Sequence, residues 1–145
     1  MDGLAEDYFI CEPDLPKDSD LQCTLMARML EHAHEELSER HLDMPDFIRV
    51  HTDNAVAEGK NNTCVCLMTT MVHDKTFDMG EMSQFEVGHT HNKQDQRFQC
   101  CCCALNDCSQ LQTPEAFGDA LITGVRPVPG RVQHVEQIHA ALDWK

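Results

Sequence analysis

Basic side chains are scarce in this sequence: 11 lysines and arginines stand against 25 aspartates and glutamates, for a net charge of −14. A duplex-binding module carries a basic face, because neutralising phosphates dominates its affinity. Such a face has no material here, so the segment does not hold nucleic acid strongly by itself. The acidic balance suits a divalent-cation site, and it equally suits an ordinary solvated surface. No apolar run approaches the roughly 20 residues that cross a bilayer. Met1 runs straight into Asp2 and Glu6, with no charged-then-apolar leader. The expectation is an intracellular chain with no membrane association. A glycine-rich phosphate loop, internal repeats and low-complexity tracts beyond one cysteine run are also missing. No serine or cysteine nucleophile shows a base partner in sequence.

What the chain does contain is enough for one core: 145 residues, of which 41% are hydrophobic and fall in periodic groups. Nine cysteines are many for this length, and four are consecutive, Cys100 to Cys103. An odd count and a contiguous run do not describe a secreted disulfide scaffold. Mostly free thiols in a reducing compartment fit better.

The pattern along the chain alternates strands with helices. Tyr8–Cys11 reads as a short strand that Pro13 and Pro16 end. A long helix follows. Ser19 and Gln22 form a capping box, and Leu21, Leu25, Met29, Ala33 and Leu37 form an apolar stripe with Met26 and Leu30 alongside. Phe47–His51 reads as a buried strand and residues 57–75 as a second helix with Val65, Met68, Met71 and Val72 inward. Met82–Val87 alternates as a third strand. A third helix spans about His91 to Leu105, with Phe98, Cys101, Cys102 and Leu105 inward. Thr113 caps a short helix that has Pro114 at its first position and Gly124 at its stop. After the linker RPVPG, the spacing of Val132, Val135, Ile138, His139 and Leu142 predicts a final amphipathic helix ending near Trp144. Residues 1–124 are thus read as the main domain, and 125–145 as a linker and helix packing on it. Alternation of this kind implies parallel strands joined by right-handed crossovers.

In open parallel sheets, sites form beyond the carboxyl ends of the strands. Asp53 and Asn54 occupy that kind of position. They offer oxygen ligands to Mg²⁺ or Mn²⁺, or alternatively a cap for the next helix. His89, His91 and Asp95 follow the third strand, and His91 and Asp95 share a helix face. That face suits a metal or a proton-carrying histidine, and equally a hydrogen-bonded polar turn. The thiols invite a zinc reading. Four consecutive cysteines on a helix diverge, however, and only Cys100 and Cys103 can reach one ion, with His89 or Cys108 joining. Zn²⁺ is therefore not expected, and Cys101 and Cys102 are read as small core residues. His32, His34 and His41 read as solvated, and His139 as lying at a core margin.

Two motifs carry a resemblance. HTDNAVAEGKN is similar to the LDN-x3-E-N-K-N motif of a large family of uncharacterised eukaryotic domains tied to mobile elements, and GHTHNKQDQRF resembles that family's GHTH-x3-D-x-x-F motif. The likeness extends through YFICEPDLPKDSD and LQTPEAF. It implies an RNase H-like α/β fold, a mostly parallel central sheet flanked by helices, as in DDE-type transposases and integrases. There, acidic residues bind metal ions that activate the attacking oxygen and stabilise the transferred phosphate. Under this resemblance Asp53 and Asp95 match the second and third acids. Asn54, His89 and His91 stand beside the metal, and Glu58, Lys60 and Asn61 match the polar helix start of the first motif. Gly59 stands where the family has asparagine. The first acid, with the first strands, is expected upstream of Met1. The implied partner is DNA, held through regions outside this chain in a nuclear setting. Two other readings stay open: a domesticated, non-catalytic interaction scaffold, cytoplasmic or nuclear, and a zinc-stabilised module.

Overall fold

A computed structural model describes residues 5–52, 62–84, 93–108, 111–129 and 131–144 of the chain. In order, the elements are β1 (Ala5–Cys11), α1 (Ser19–Glu39), β2 (Phe47–Thr52), α2 (Asn62–His73), β3 (Met79–Gln84), α3 (Lys93–Asn106), α4 (Pro114–Gly124) and β4 (Val132–Ile138). The architecture is mixed α/β, with four helices and short parallel strands among the described residues. The parallel pairing agrees with the sequence pattern. A single central sheet does not form among the described residues: β1 pairs with β4, and β2 pairs with β3. The chain divides into two compact units, Met1–Pro13 with His89–His139, and Asp14–Gly88 with Ala140–Lys145.

The first unit holds β1, β4, α3 and α4. The final amphipathic helix expected from Val132 onward is instead the strand β4. Valine and isoleucine three residues apart fit one face of a helix, but they are β-branched and favour strands, and Gly130 and Arg131 provide no helix cap. The deciding factor is non-local. β1 carries a row of backbone donors and acceptors that need partners. β4 supplies them in unbroken register from Ala5↔Val132 to Cys11↔Ile138. Helix α4 begins as its sequence dictates. Thr113 Oγ1 accepts from Ala116 N at 3.2 Å, and Pro114 takes the first turn, where its missing N–H costs nothing. Gly118 faces the strands, and a Cβ there would stand 3.2 Å from Val135 and 3.4 Å from Ile10.

Helices α3 and α4 meet through small residues. A Cβ on Gly124 would come within 2.5 Å of the Ala104 Cβ, so glycine is required at this crossing. The core cluster here is Cys101, Ala104, Leu121 and Val125, with Tyr8, Leu105 and Phe117 against it. That narrow stripe corrects two inward assignments. Phe98 is 69% exposed, and Cys102 is exposed as well. A close helix–helix crossing buries only the residues along its line, whereas the wider stripe assumed a broad sheet beneath the helix.

The second unit holds α1, α2, β2 and β3. Asp18, not Ser19, caps α1: its carboxylate accepts from Asp20 N at 3.1 Å and Leu21 N at 3.2 Å. Position N3 is therefore Leu21, and no capping box forms. The buried set of α1 is Leu21, Cys23, Thr24, Met26 and Leu37, while Met29 is 41% exposed. The core-facing stripe is thus rotated toward Cys23 and Thr24. Cys23 Sγ lies 3.5 Å from Cys64 Sγ of α2, both buried. Helices α1 and α2 end alike. His41 (φ 56°) and Lys75 (φ 63°) take the left-handed conformation, and Leu42 N donates to Leu37 O and Thr76 N to Met71 O. This is the Schellman closure that satisfies terminal carbonyls, formed here without glycine.

Beyond α2, Phe77 is only 2% exposed. Asp78 N and Met79 N both donate to Asp46 O, which starts the β2–β3 ladder. β3 consequently begins at Met79, earlier than the alternation from Met82 suggests, and residues 85–87 lie outside the described set. Gly80 lets α2 press on the pair, since a Cβ there would stand 2.9 Å from Met68 Cε. The chain's last described segment returns to α1. Thr24 Oγ1 accepts from Leu142 N at 2.9 Å and from Trp144 Nε1 at 3.2 Å, and itself donates to Asp20 O at 2.7 Å.

Candidate functional site

The first sequence motif begins within β2, at His51, and the second begins at Gly88, four residues after β3 ends in sequence. The strands are parallel and level: Phe47 faces Met79, and Thr52 faces Gln84 at the other end. The chain therefore leaves β2 toward Asp53 and β3 toward Phe85 from the same edge. Side chains alternate across the two faces. Ile48, Val50, Gly80 and Met82 form the face that meets α2 through Met68 and Val72, as the contacts around Gly80 show. Phe47, Arg49 and His51 form the other face, with Met79, Glu81 and Ser83.

That second face is open. Arg49 Nη2 donates to Glu81 Oε2 at 2.9 Å, and its guanidinium stands 5.5 Å over the Phe47 ring. One step along, His51 Nδ1 and Ser83 Oγ are 2.7 Å apart. Phe47–His51 is accordingly a half-exposed strand rather than a buried one; Phe47 is 37% exposed and Met79 60%. The polar row of Arg49, Glu81, His51 and Ser83 runs toward the strand ends at Thr52 and Gln84. Sequence reading missed His51 and Ser83. Their signal was present, since His51 opens the first motif and Ser83 alternates with the apolar positions of its own strand.

Of the predicted site residues, Asp53, Asn54, Glu58, Lys60, Asn61, His89 and His91 lie outside the described residues. The backbone of Asp95 lies in the first turn of α3. The mutual arrangement of these predicted ligands lies outside the described residues.

The second motif does have a described anchor. Arg97, two residues past Asp95, donates to Glu6 Oε2 of β1 through Nε at 3.1 Å and again through Nη2, and Nη2 also donates to Arg126 O at 2.6 Å. Glu6 further receives the Tyr8 hydroxyl at 3.2 Å and lies 3.6 Å from Arg131 Nη1. The Glu6 side chain is 10% exposed and that of Arg97 24%. A carboxylate so enclosed is tolerable because Arg97 and the Tyr8 hydroxyl hydrogen-bond to it and the Arg131 charge stands nearby. Burial, reinforced by the Glu6 charge, pushes the Tyr8 hydroxyl up to about 12, with Arg97 opposing. Burial also raises the Cys101 thiol, against the Tyr8 hydrogen bond and the Arg97 charge. The cluster fixes the first turns of α3 against β1, so it is an anchor for the motif helix. Nothing in it presents a reactive group to solvent.

His139, expected at a core margin, is exposed beyond the end of β4, and its Nδ1 lies 2.5 Å from Glu12 Oε1. None of the nine cysteines forms a disulfide. Among the described residues no helix is long and apolar enough to cross a membrane.

No curated protein and no solved structure matches the chain. A family profile matches residues 3–145, and the chain accordingly belongs to the family described as the domain of unknown function DUF7869.

Proposed function

We propose that this chain is the greater part of an RNase H-like, metal-dependent polynucleotidyl transferase domain of mobile-element origin, degenerate in its acidic set. The observation that supports this reading is the level parallel pair β2–β3, with Thr52 opposite Gln84: Asp53 follows β2 directly in sequence, and Gly88 comes four residues after the end of β3. Oxygen-rich residues following adjacent parallel strands are the arrangement in which α/β enzymes build sites. Asp53 and Asp95 are the proposed metal-binding acids, with Asn54, His89 and His91 beside them and Glu58, Lys60 and Asn61 shaping the first motif. Mg²⁺ or Mn²⁺ is the ion, because carboxylate, amide and water oxygens suit it. The metal would polarise phosphate and activate the attacking oxygen. Two acids without the third bind metal weakly, so turnover by this chain alone is negligible. DNA is contacted through other regions of the parent protein, in keeping with the net charge of −14.

Calorimetric titration with Mn²⁺ tests the proposal. The wild type is expected to give a saturable heat that Asp53→Ala and Asp95→Ala each abolish. Equal, negligible heats for all three would remove the catalytic ancestry as an explanation. The same result would favour the second reading, a non-catalytic interaction scaffold, which the strongly acidic surface suits without any metal.

A further inference from the structure

Of the cysteine run only Cys101 touches the anchor cluster, through Tyr8, and none of the four belongs to the proposed metal edge. Of its four thiols only Cys101 is buried, at 7% exposure, while Cys100, Cys102 and Cys103 are exposed. An open groove of about 540 Å³ lies beside the α3–α4 crossing, and Cys100, Cys103 and Cys108 all line it, with Asp107 among its polar residues. Cys100 and Cys103 are three apart on one helix, which puts their Cβ atoms about 5–6 Å from each other on one face. Cys108 comes back to that face after the helix ends: its Sγ donates to Ala104 O at 3.4 Å, and Ala104 is itself part of the groove wall. The divergence of four consecutive thiols is thereby resolved, since one enters the core, one points away from the groove and two share the groove with a third from outside the run.

We propose that this groove is a thiolate site for a soft monovalent d¹⁰ cation of the Cu(I) class, held by Cys100 and Cys103 with Cys108 as third ligand. Soft thiolate ligands favour Cu(I) as well as Zn²⁺, and Cu(I) differs in needing only two or three of them. Structural Zn²⁺ needs four ligands in a tetrahedral cage. In the open groove the three sulfurs are not gathered within 4.8 Å of one another, so no such cage stands ready among the described residues. A two-thiolate bridge asks less, only rotation of two exposed side chains about χ1. The thiols bind as thiolates and release their protons to solvent, so affinity rises with pH. Asp107 adds a negative charge at the same groove.

The test is anaerobic competition for Cu(I) between the full chain and a chromogenic Cu(I) chelator, followed by the same experiment with Zn²⁺ and a zinc indicator. One Cu(I) per chain is expected to resist the chelator. Cys100→Ser/Cys103→Ser is expected to weaken binding by roughly 100-fold or more, since removing the ligands costs more than the roughly 10–100-fold that losing an outer-shell partner does. All the substituted side chains are exposed, so the fold is retained, and far-ultraviolet dichroism checks this. Cys102→Ser and Cys66→Ser, which alter exposed thiols outside the groove, are expected to leave binding unchanged. Equal weakening by the Cys102 or Cys66 variant would overturn the assignment, and so would an unaffected double variant. Preference for Zn²⁺ over Cu(I), or no competition with the chelator, would overturn it as well.

Discussion

Replacing Arg97 by alanine tests whether the motif helix is anchored as described. The guanidinium makes two hydrogen bonds to Glu6 and one to the Arg126 carbonyl. Removing one partner of a buried ion pair costs about 3–5 kcal/mol when the other charge is left alone. Glu6 is not left alone, because Arg131 stands 3.6 Å away and the Tyr8 hydroxyl 3.2 Å away. Arg97 is also 24% exposed, so part of its charge is already solvated. The expected loss is therefore about 2–3 kcal/mol, of which about 1 kcal/mol comes from the Arg126 carbonyl. Tyr8 is the only tyrosine and Trp144 the only tryptophan, and they lie in different units. Urea unfolding followed by tyrosine absorbance reports β1 and its surroundings, and tryptophan emission reports the other unit. With a slope of about 1–3 kcal/mol/M, the tyrosine transition should move down by about 1 M or more. Pairing Arg97→Ala with Glu6→Gln should give a coupling energy of about 1–2 kcal/mol. A change under about 0.5 kcal/mol, the level of an ordinary surface ion pair, would refute the reasoning. So would Glu6→Leu/Arg97→Met proving as unstable as Arg97→Ala, because a buried pair replaced by apolar groups should cost little.

Thr24→Val should leave Leu142 N–H and Trp144 Nε1–H without their acceptor, costing about 1–3 kcal/mol and shifting Trp144 emission to the red; unchanged emission would show that the hydroxyl is not what holds the tail. Stability should fall steeply in alkali. Cys23, normally near 9, is pushed up to about 12 by burial and by the Cys64 thiol, and Tyr8, normally near 10, is also pushed up to about 12. Both groups hold their protons more tightly when folded. Their contribution is thus fully present below pH 9 and is lost as pH rises toward 12. The loss is on the order of 2–4 kcal/mol once solvent screening of the part-exposed Tyr8 is allowed for. Urea midpoints measured across that range should fall less for Cys23→Ala than for wild type, and parallel curves would contradict the assignment.

The elements legible in the sequence are those specified by their own local chemistry. Helix α4 lies where Thr113, Pro114 and Gly124 put it, because a cap and a first-turn proline act within a few residues. The long helix α1 and the strands β1 and β2 follow from periodicity, and the two motifs were legible as patterns of residue type. The tertiary structure decided whatever depends on a distant partner. Val132–Ile138 has a spacing that suits a helix, and it becomes a strand because β1 offers seven residues of unpaired backbone in register. Cys23 and Thr24 are core residues because Cys64, Leu142 and Trp144 come to meet them from far along the chain. Phe98 is exposed because α3 meets α4 along a line of small residues, where only Cys101 and Ala104 fit. Arg97 and Glu6 are 91 residues apart, and neither position signals the other. Local signals act through backbone hydrogen bonds within one turn. Burial depends on which surface arrives, and that is a property of the folded chain rather than of any segment read by itself.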